Sequence, residues 1–248
     1  MHLIVTRPQP DAEELQRKLE VRGHRTLIAP LLDIRMGAQR PIPSRPYQAV
    51  LITSANGARA LMDHPAQQRL VRMPALAVGP QSRAAAQAAG FTSVREAAGD
   101  VASIAAETAK ELEPSRGPLL YVSGEETSGD LEGVLKKNGF EVDRVIMYAA
   151  VPARELPAGV AGAIRRRGAD GVLLYSRRTA MVWIKCIAAA GLGPYMDKIT
   201  HFCLSGAVAG VIPNGWPTKT ASNSSEQAMF ELIANEARAQ IEESSHGG

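Results

Sequence analysis

The chain has 248 residues, 45% of them apolar and 21% charged, enough for one large domain or two of ordinary size. With 28 Lys and Arg against 25 Asp and Glu, the formal charge is +3, far from the basic stripe of a nucleic-acid binder. No apolar run reaches the roughly 20 residues of a membrane span, and MHLIVTRPQPD at the start lacks the pattern of a signal peptide. Cys186 and Cys203 sit in apolar surroundings with no CxxC or Cys/His spacing. Reduced thiols in a cytoplasmic protein that binds neither nucleic acid nor membrane are therefore expected.

HLIVTR (2–7) is an apolar, β-branched run that predicts a strand. A helix follows, with Ala12, Leu15 and Leu19 at helical spacing and Gly23 as its stop. HRTLIAPLLDIR (24–35) predicts a second strand running past Pro30, and the Pro-rich stretch 37–46 predicts a linker. Strands at 48–54, 75–79, 91–96, 119–124 and 142–151 then alternate with helices from Asn56, over 81–89, 100–112 and 128–138. After another linker come strands at 171–176, 200–205 and 218–221, with helices over 179–190, 207–211 and 224–242. The tail ESSHGG predicts disorder. Strands alternating with helices at this interval indicate parallel βαβ units.

The pieces repeat. YQAVLITSANGARAL parallels ADGVLLYSRRTAMVW, PALAVGPQSRAAAQAAGF parallels ITHFCLSGAVAGVIPNGW, and AGDVASIAAETAKEL parallels ASNSSEQAMFELIANEA. The last unit of the middle block, LLYVSGEETSGDLEGVLKKNGFEVDRVIMY, finds its partner at the start, HLIVTRPQPDAEELQRKLEVRGHRTLIAPL. This order predicts a permuted duplication: one domain joins 1–34 to 151–248, the other is inserted over 37–150, and connectors lie around 33–40 and 147–157.

Ligands of open parallel sheets bind beyond the carboxyl ends of the strands. The residues expected there are Thr6 and Arg7, the run Thr53, Ser54, Ala55, Asn56 and Gly57, then Gly79 to Ser82, Ser123 and Gly124, Ser176 to Thr179, and Ser205 and Gly206. Most open a helix, where unpaired N–H groups and the positive dipole end suit carboxylates or phosphates. Ser, Thr and Asn are also ordinary N-caps, so capping and anion holding both stand as readings of any one site. Arg7, Arg177 and Arg178 offer forks for carboxylates, a solvated charge being the alternative for Arg178 and, with less weight, for Arg7. Tyr148 is open to two readings, a core tyrosine or a hydroxyl facing a cleft between the domains.

Catalytic signatures are missing. No GxGxxG follows a strand, and GEETSGD (124–130) carries Asp130 where a phosphate loop needs lysine. There is no HExxH or GxSxG, and the 5 histidines are scattered. His201 at a strand start reads as structural, and no metal site is expected.

The order of VTRP, LITSANGARAL, AVGPQSRAAAQAAGF, LLYVSGEETSGDLEGVLKKNGFEVDRVIMY and VLLYSRRTAMVW over almost the whole chain resembles the uroporphyrinogen-III synthase family of tetrapyrrole biosynthesis. The resemblance implies two flavodoxin-like α/β domains joined by a two-stranded connector, with the active cleft between them. It also implies a lyase of heme biosynthesis that closes hydroxymethylbilane, a linear octacarboxylate, into uroporphyrinogen III while inverting the last pyrrole ring and losing water. The leaving hydroxyl gives an azafulvene cation, the last ring attacks through its substituted carbon, and a spiro intermediate fragments and recloses. No cofactor is implied, because the pyrroles drive the ionisation. A monomer is expected. The site residues that follow are Tyr148, assisting departure of the hydroxyl, and Arg7, Thr53, Ser54, Asn56, Gly57, Gly79, Ser82, Ser123, Gly124, Ser176, Arg177, Thr179, Ser205 and Gly206, holding substrate. The chain departs from the family at Ser205-Gly206-Ala207-Val208, where many members have Ile-Gly and paired threonines, and at Ser82, where threonine is usual. The contrasting reading is a non-catalytic two-domain module that binds a small polyanion. A sugar-phosphate enzyme would want a Lys or Glu base at a strand end, and none is convincing.

Overall fold

The computed structural model describes residues 1–37, 40–97 and 101–246, with the side chains of residues 241 and 243–246 left aside. Parts of the expected linker, of the expected connector, of the helix over 100–112 and of the tail fall outside the described residues, at 38–39, 100 and 247–248. The chain divides into two compact units, Met1–Asp33 with Val151–Gly248, and Ile34–Ala150.

The chain opens with β1 (His2–Val5), α1 (Asp11–Glu20), β2 (Arg25–Ile28) and β3 (Leu32–Met36). The run expected as one strand over 24–35 is thus two, split at Ala29, Pro30 and Leu31. Pro30 has no N–H to give a ladder, and the two strands belong to different sheets. Next come β4 (Ala49–Ile52), α2 (Ala55–Arg59), α3 (Gln67–Leu70), β5 (Ala75–Val78), α4 (Gly79–Ala88), β6 (Val94–Ala97), α5 (Val101–Glu111), β7 (Leu119–Gly124), α6 (Leu131–Lys137) and β8 (Val142–Pro152). The helix expected from Asn56 is therefore two short pieces. The last stretch holds α7 (Ala158–Arg165), β9 (Gly171–Leu174), α8 (Arg177–Ala189), β10 (Thr200–Cys203), α9 (Gly206–Ala209), β11 (Thr218–Thr220) and α10 (Glu226–His246). α7 has no counterpart in the sequence reading, and α10 continues through ESSH, part of the tail expected to be disordered.

In one unit, five strands run in the order β11-β10-β9-β1-β2, all parallel. Alternate residues point to opposite faces. Ile4, Val172, Leu174 and Cys203 pack on one face with Val160 and Ile164 of α7 and Trp183 and Ile187 of α8. Leu3, Val5, Leu173 and Phe202 pack on the other with Leu15 and Leu19 of α1 and Met229 and Ile233 of α10. The other unit's sheet runs β3-β8-β7-β4-β5-β6, and β4 to β8 are parallel. Val50, Ile52, Val122 and Met147 line one face with Ala58, Leu61 and Ala86; Ala49, Leu51, Leu119 and Tyr121 line the other with Ile104, Leu131 and Leu135. Covering both faces explains why β4 is buried at every residue.

Gly37 N–H donates to the Met147 carbonyl (2.8 Å) and Ala153 N–H to that of Leu31 (2.9 Å). Numbers rise on β3 as they fall on β8, so this pair is antiparallel.

His201 is fully buried. Trp183 Nε1 donates to its Nε2 at 3.1 Å, and because indole is only a donor, the proton must sit on Nδ1. Nδ1 then donates to the Pro217 carbonyl at 3.0 Å, and Trp216 stacks on the ring at 5.0 Å. Burial pushes the imidazole down to about 4. Cys186 and Cys203 are free and buried, and burial raises the Cys203 thiol to about 12.

Candidate functional site

Each unit gathers small hydroxylic residues at the carboxyl ends of its strands. In the unit of β4 to β8, Ser54 caps α2, its Oγ accepting from Asn56 N–H at 3.2 Å. The Asn56 side-chain oxygen accepts from Arg59 at 2.9 Å. Thr53 Oγ1 lies 3.2 Å from the Tyr121 hydroxyl. Gly57 serves packing: a Cβ there would stand 3.2 Å from the Val122 carbonyl oxygen, so its bare Cα lets α2 settle onto β7. Gly79 opens α4 with φ +73°, and Ser82 is buried one turn in.

The β7 end is the most elaborated. Ser123 is buried, and its Oγ accepts from Arg144 Nε at 2.9 Å. Arg144 Nη2 also donates to the carbonyls of Gly124 and Glu125, each at 3.0 Å, and the guanidinium lies 5.9 Å from the Tyr121 ring centre. Ser123 pairs with Ile146 and Gly124 with Tyr148, so Met147 is a bulged residue. The Tyr148 ring fills the space above Gly124: a Cβ there would fall 2.7 Å from Tyr148 Cζ and 3.0 Å from its hydroxyl oxygen. Tyr148 is half-buried against the apolar cluster of Val122 and Met147. Burial raises the Tyr121 phenol, opposed by its hydrogen bond with Thr53 and the nearby Arg144 charge.

Asp130, which ruled out a phosphate loop, caps α6 by accepting from Gly133 N–H at 2.9 Å.

In the other unit, Thr6 is fully buried and donates to the Leu173 carbonyl at 2.6 Å. Arg7 pairs with Asp11 at 2.8 Å and faces Glu226 at 3.8 Å. It also lies over the Tyr175 ring at 4.9 Å. Lys18 ties the same Glu226 to Glu14, at 2.6 and 2.7 Å. The Tyr175 hydroxyl is buried without a hydrogen-bond partner among the described residues, and burial raises its pKa. Ser176 caps α8, accepting from Thr179 N–H at 3.1 Å and sharing a 2.8 Å hydrogen bond with its hydroxyl. Arg177 is exposed at the first position of α8. Ser205 precedes α9 without a side-chain cap, and Gly206 is exposed.

Arg7, Thr53, Gly79, Gly124 and Ser205 thus stand at or just past strand ends, Ser82 and Thr179 lie in the first turns of helices, and Tyr148 stands within β8 opposite the end of β7. Within one unit, Thr53, Ser123, Gly124 and Tyr148 belong to a network joined by Tyr121 and Arg144. The other unit's Arg7 is engaged by protein carboxylates. Sequence reading missed Tyr121 and Arg144, whose only sequence signal is a polar side chain inside an otherwise apolar strand. Capping leaves the Ser54 and Ser176 hydroxyls able to donate, since a hydroxyl both accepts and donates. With first-turn N–H groups, this chemistry suits carboxylates.

Residues 13–231 match the family described as HEM4, uroporphyrinogen-III synthase HemD. No curated protein matches the chain by sequence. Among solved structures, uroporphyrinogen-III synthetase from Helicobacter pylori superposes with a TM-score of 0.65 at 18% identity, over 95% of this chain and 99% of that one. A mutant uroporphyrinogen III synthase from Thermus thermophilus superposes with a TM-score of 0.58 at 15% identity, over 98% and 99%. At such identities the likeness is one of fold, mixed α/β with parallel sheets.

Proposed function

The chain belongs to the uroporphyrinogen-III synthase family, and we propose that its strand-end loops hold hydroxymethylbilane while that chain of pyrroles closes. The activity is that of a cyclising lyase: hydroxymethylbilane loses water and becomes uroporphyrinogen III with its last ring inverted. The observation that carries the proposed site is the set of hydroxyls and amides at strand ends: Thr53 to Gly57, Gly79 to Ser82, Ser176 to Thr179 and Ser205 to Gly206 open helices, and Ser123 to Gly124 close β7. A flexible octacarboxylate loses much freedom when its two ends meet, and positioning of this kind supplies about 7–11 kcal/mol in favourable reactions. Carboxylates far from the reacting carbons supply binding energy for that alignment.

Tyr148 is the proposed donor to the departing hydroxyl. A phenol O–H is a hydrogen-bond donor that can stabilise the departing oxygen. The pyrroles supply the electrons, so the reading requires no cofactor. Arg177, exposed at the start of α8, is the proposed carboxylate fork of its unit, whereas a substrate reaching Arg7 would compete with Asp11 and Glu226. At Ser205-Gly206-Ala207-Val208 the backbone amides are the proposed contacts. A monomer acting in the cytoplasm fits this chemistry.

The strand orders support a permuted duplication on a flavodoxin-like plan. Counted along the chain, β2-β1-β9-β10-β11 is the order 2-1-3-4-5, that of flavodoxin. β8-β7-β4-β5-β6 becomes the same order when counting starts at β7. β3 and β8 would then be the two-stranded connector, each passing from one unit to the other.

Amide hydrogen exchange with and without uroporphyrin III, a stable oxidised relative of the product, tests the site. Protection at residues 53–57, 79–82, 123–125, 176–179 and 205–208 is expected. Protection confined to other segments would overturn it.

A further inference from the structure

We propose that Arg144 is a positioning residue for the β7 end, holding Ser123 and the seat of Tyr148 in reactive geometry. The inference rests on the reading that Ser123 and Tyr148 serve the substrate. Arg144 spends Nε on Ser123 Oγ at 2.9 Å and Nη2 on the Gly124 and Glu125 carbonyls at 3.0 Å each. Three consecutive residues are thus fixed by one planar, permanently charged group. Glu125 N–H in turn donates to the Tyr148 carbonyl at 2.9 Å, so the loop that Arg144 grips also grips the backbone of Tyr148. The bulge at Met147 puts Tyr148, rather than Met147, opposite Gly124, and bulges re-aim side chains in this way. Gly124 completes the seat by leaving the ring its space.

The bond to Arg144 has a second effect. It takes an acceptor lone pair of Ser123 Oγ, so the Ser123 proton is left to be donated, the polarity a carboxylate requires. A lysine would keep the charge but lose the fork, which separates positioning from simple attraction of a polyanion.

The test is steady-state turnover of enzymatically generated hydroxymethylbilane by the full chain, with isomer analysis of the products. Misplacement of about 1 Å costs on the order of 100-fold in rate. Arg144→Gln and Arg144→Lys are therefore both expected to lose kcat by about that factor, with KM changing less, and with a larger share of spontaneous type I product. Because Arg144 acts through the Tyr148 seat, adding Tyr148→Phe to Arg144→Gln is expected to change kcat little further. Gly124→Ala keeps Arg144 and its charge yet crowds the phenol, and is expected to reproduce the kcat loss even if the Arg144 variants fold poorly. Arg144→Lys at the wild-type kcat, losses of Arg144→Gln and Tyr148→Phe that multiply, or Gly124→Ala at the wild-type kcat would each overturn the proposal alone. Tyr148→Phe at the wild-type rate would overturn the site reading, and the proposal with it.

Discussion

Gly124 and Tyr148 face each other across β7 and β8, so closely that a Cβ on the first would stand 2.7 Å from Cζ of the second. The phenol is thereby held beside the carboxyl end of β7, half-buried against the cluster that holds Val122 and Met147. Tyr148→Phe keeps this packing and removes only the donor. Loss of one positioned donor costs about 100-fold or more in turnover, so kcat is expected to fall on that order, short of abolition, with a smaller change in KM. Complete loss of turnover would mean that Tyr148 does more than assist a leaving group.

Arg7 and Arg177 should separate stability from binding. Arg7→Ala removes the 2.8 Å ion pair with half-buried Asp11 and the more distant cation at Glu226, which Lys18 still holds, and loss of a hydrogen bond between charged groups costs about 1.5–3 kcal/mol. Urea unfolding is expected to show that loss. Arg177 is exposed, so Arg177→Ala is expected to leave unfolding unchanged and raise KM several-fold. An unchanged KM would remove Arg177 from the site.

The buried His201 predicts acid sensitivity. Its pKa falls from 6.5 to about 4 on folding, so the unfolded chain binds the extra proton between these pH values. Stability is then expected to be unaffected by this group above pH 6.5, and to fall as pH drops from there towards 4. One pKa unit corresponds to about 1.4 kcal/mol, so the loss approaches about 3 kcal/mol on the acid side. Urea unfolding across pH 7.5 to 4 measures it, and His201→Gln, neutral at every pH, is expected to flatten the profile. A wild-type profile just as flat would contradict the assigned burial.

Gly57 and Val122 give a packing prediction. Gly57→Ala brings a methyl to 3.2 Å from the Val122 carbonyl oxygen, so α2 must shift. Overpacking costs about 1–3 kcal/mol, and a matching drop in the unfolding midpoint is expected. Because Thr53 and Ser54 enter α2, KM should rise as well; a change in stability alone would separate this loop from the substrate.

Much of this architecture was legible because parallel strands buried on both faces read as uninterrupted apolar runs, as AVLI in β4 does. Helix starts were legible for a related reason: Ser54 and Ser176 stand where unpaired amides need an acceptor. The break at Pro30 was not, because strand propensity continues across it and only the pairing assigns β2 and β3 to different sheets. α7 was hidden in a short Ala- and Gly-rich stretch, AGVAGAIR, whose buried face of Val160, Ala161, Ala163 and Ile164 holds only two large apolar residues. Arg144 escaped notice for another reason. Its three acceptors lie at the end of the neighbouring strand and on the residue just past it, and register alone, Tyr121 opposite Arg144, brings them together. Arg7 looked like an open fork because Glu226, in α10, is distant in sequence and close only in the fold.

The most direct measurement is the isomer composition formed when the purified protein meets enzymatically generated hydroxymethylbilane, read after oxidation to porphyrins. The family assignment and the strand-end chemistry together predict uroporphyrin III as the dominant product. Type I alone, the product of spontaneous closure, would contradict them.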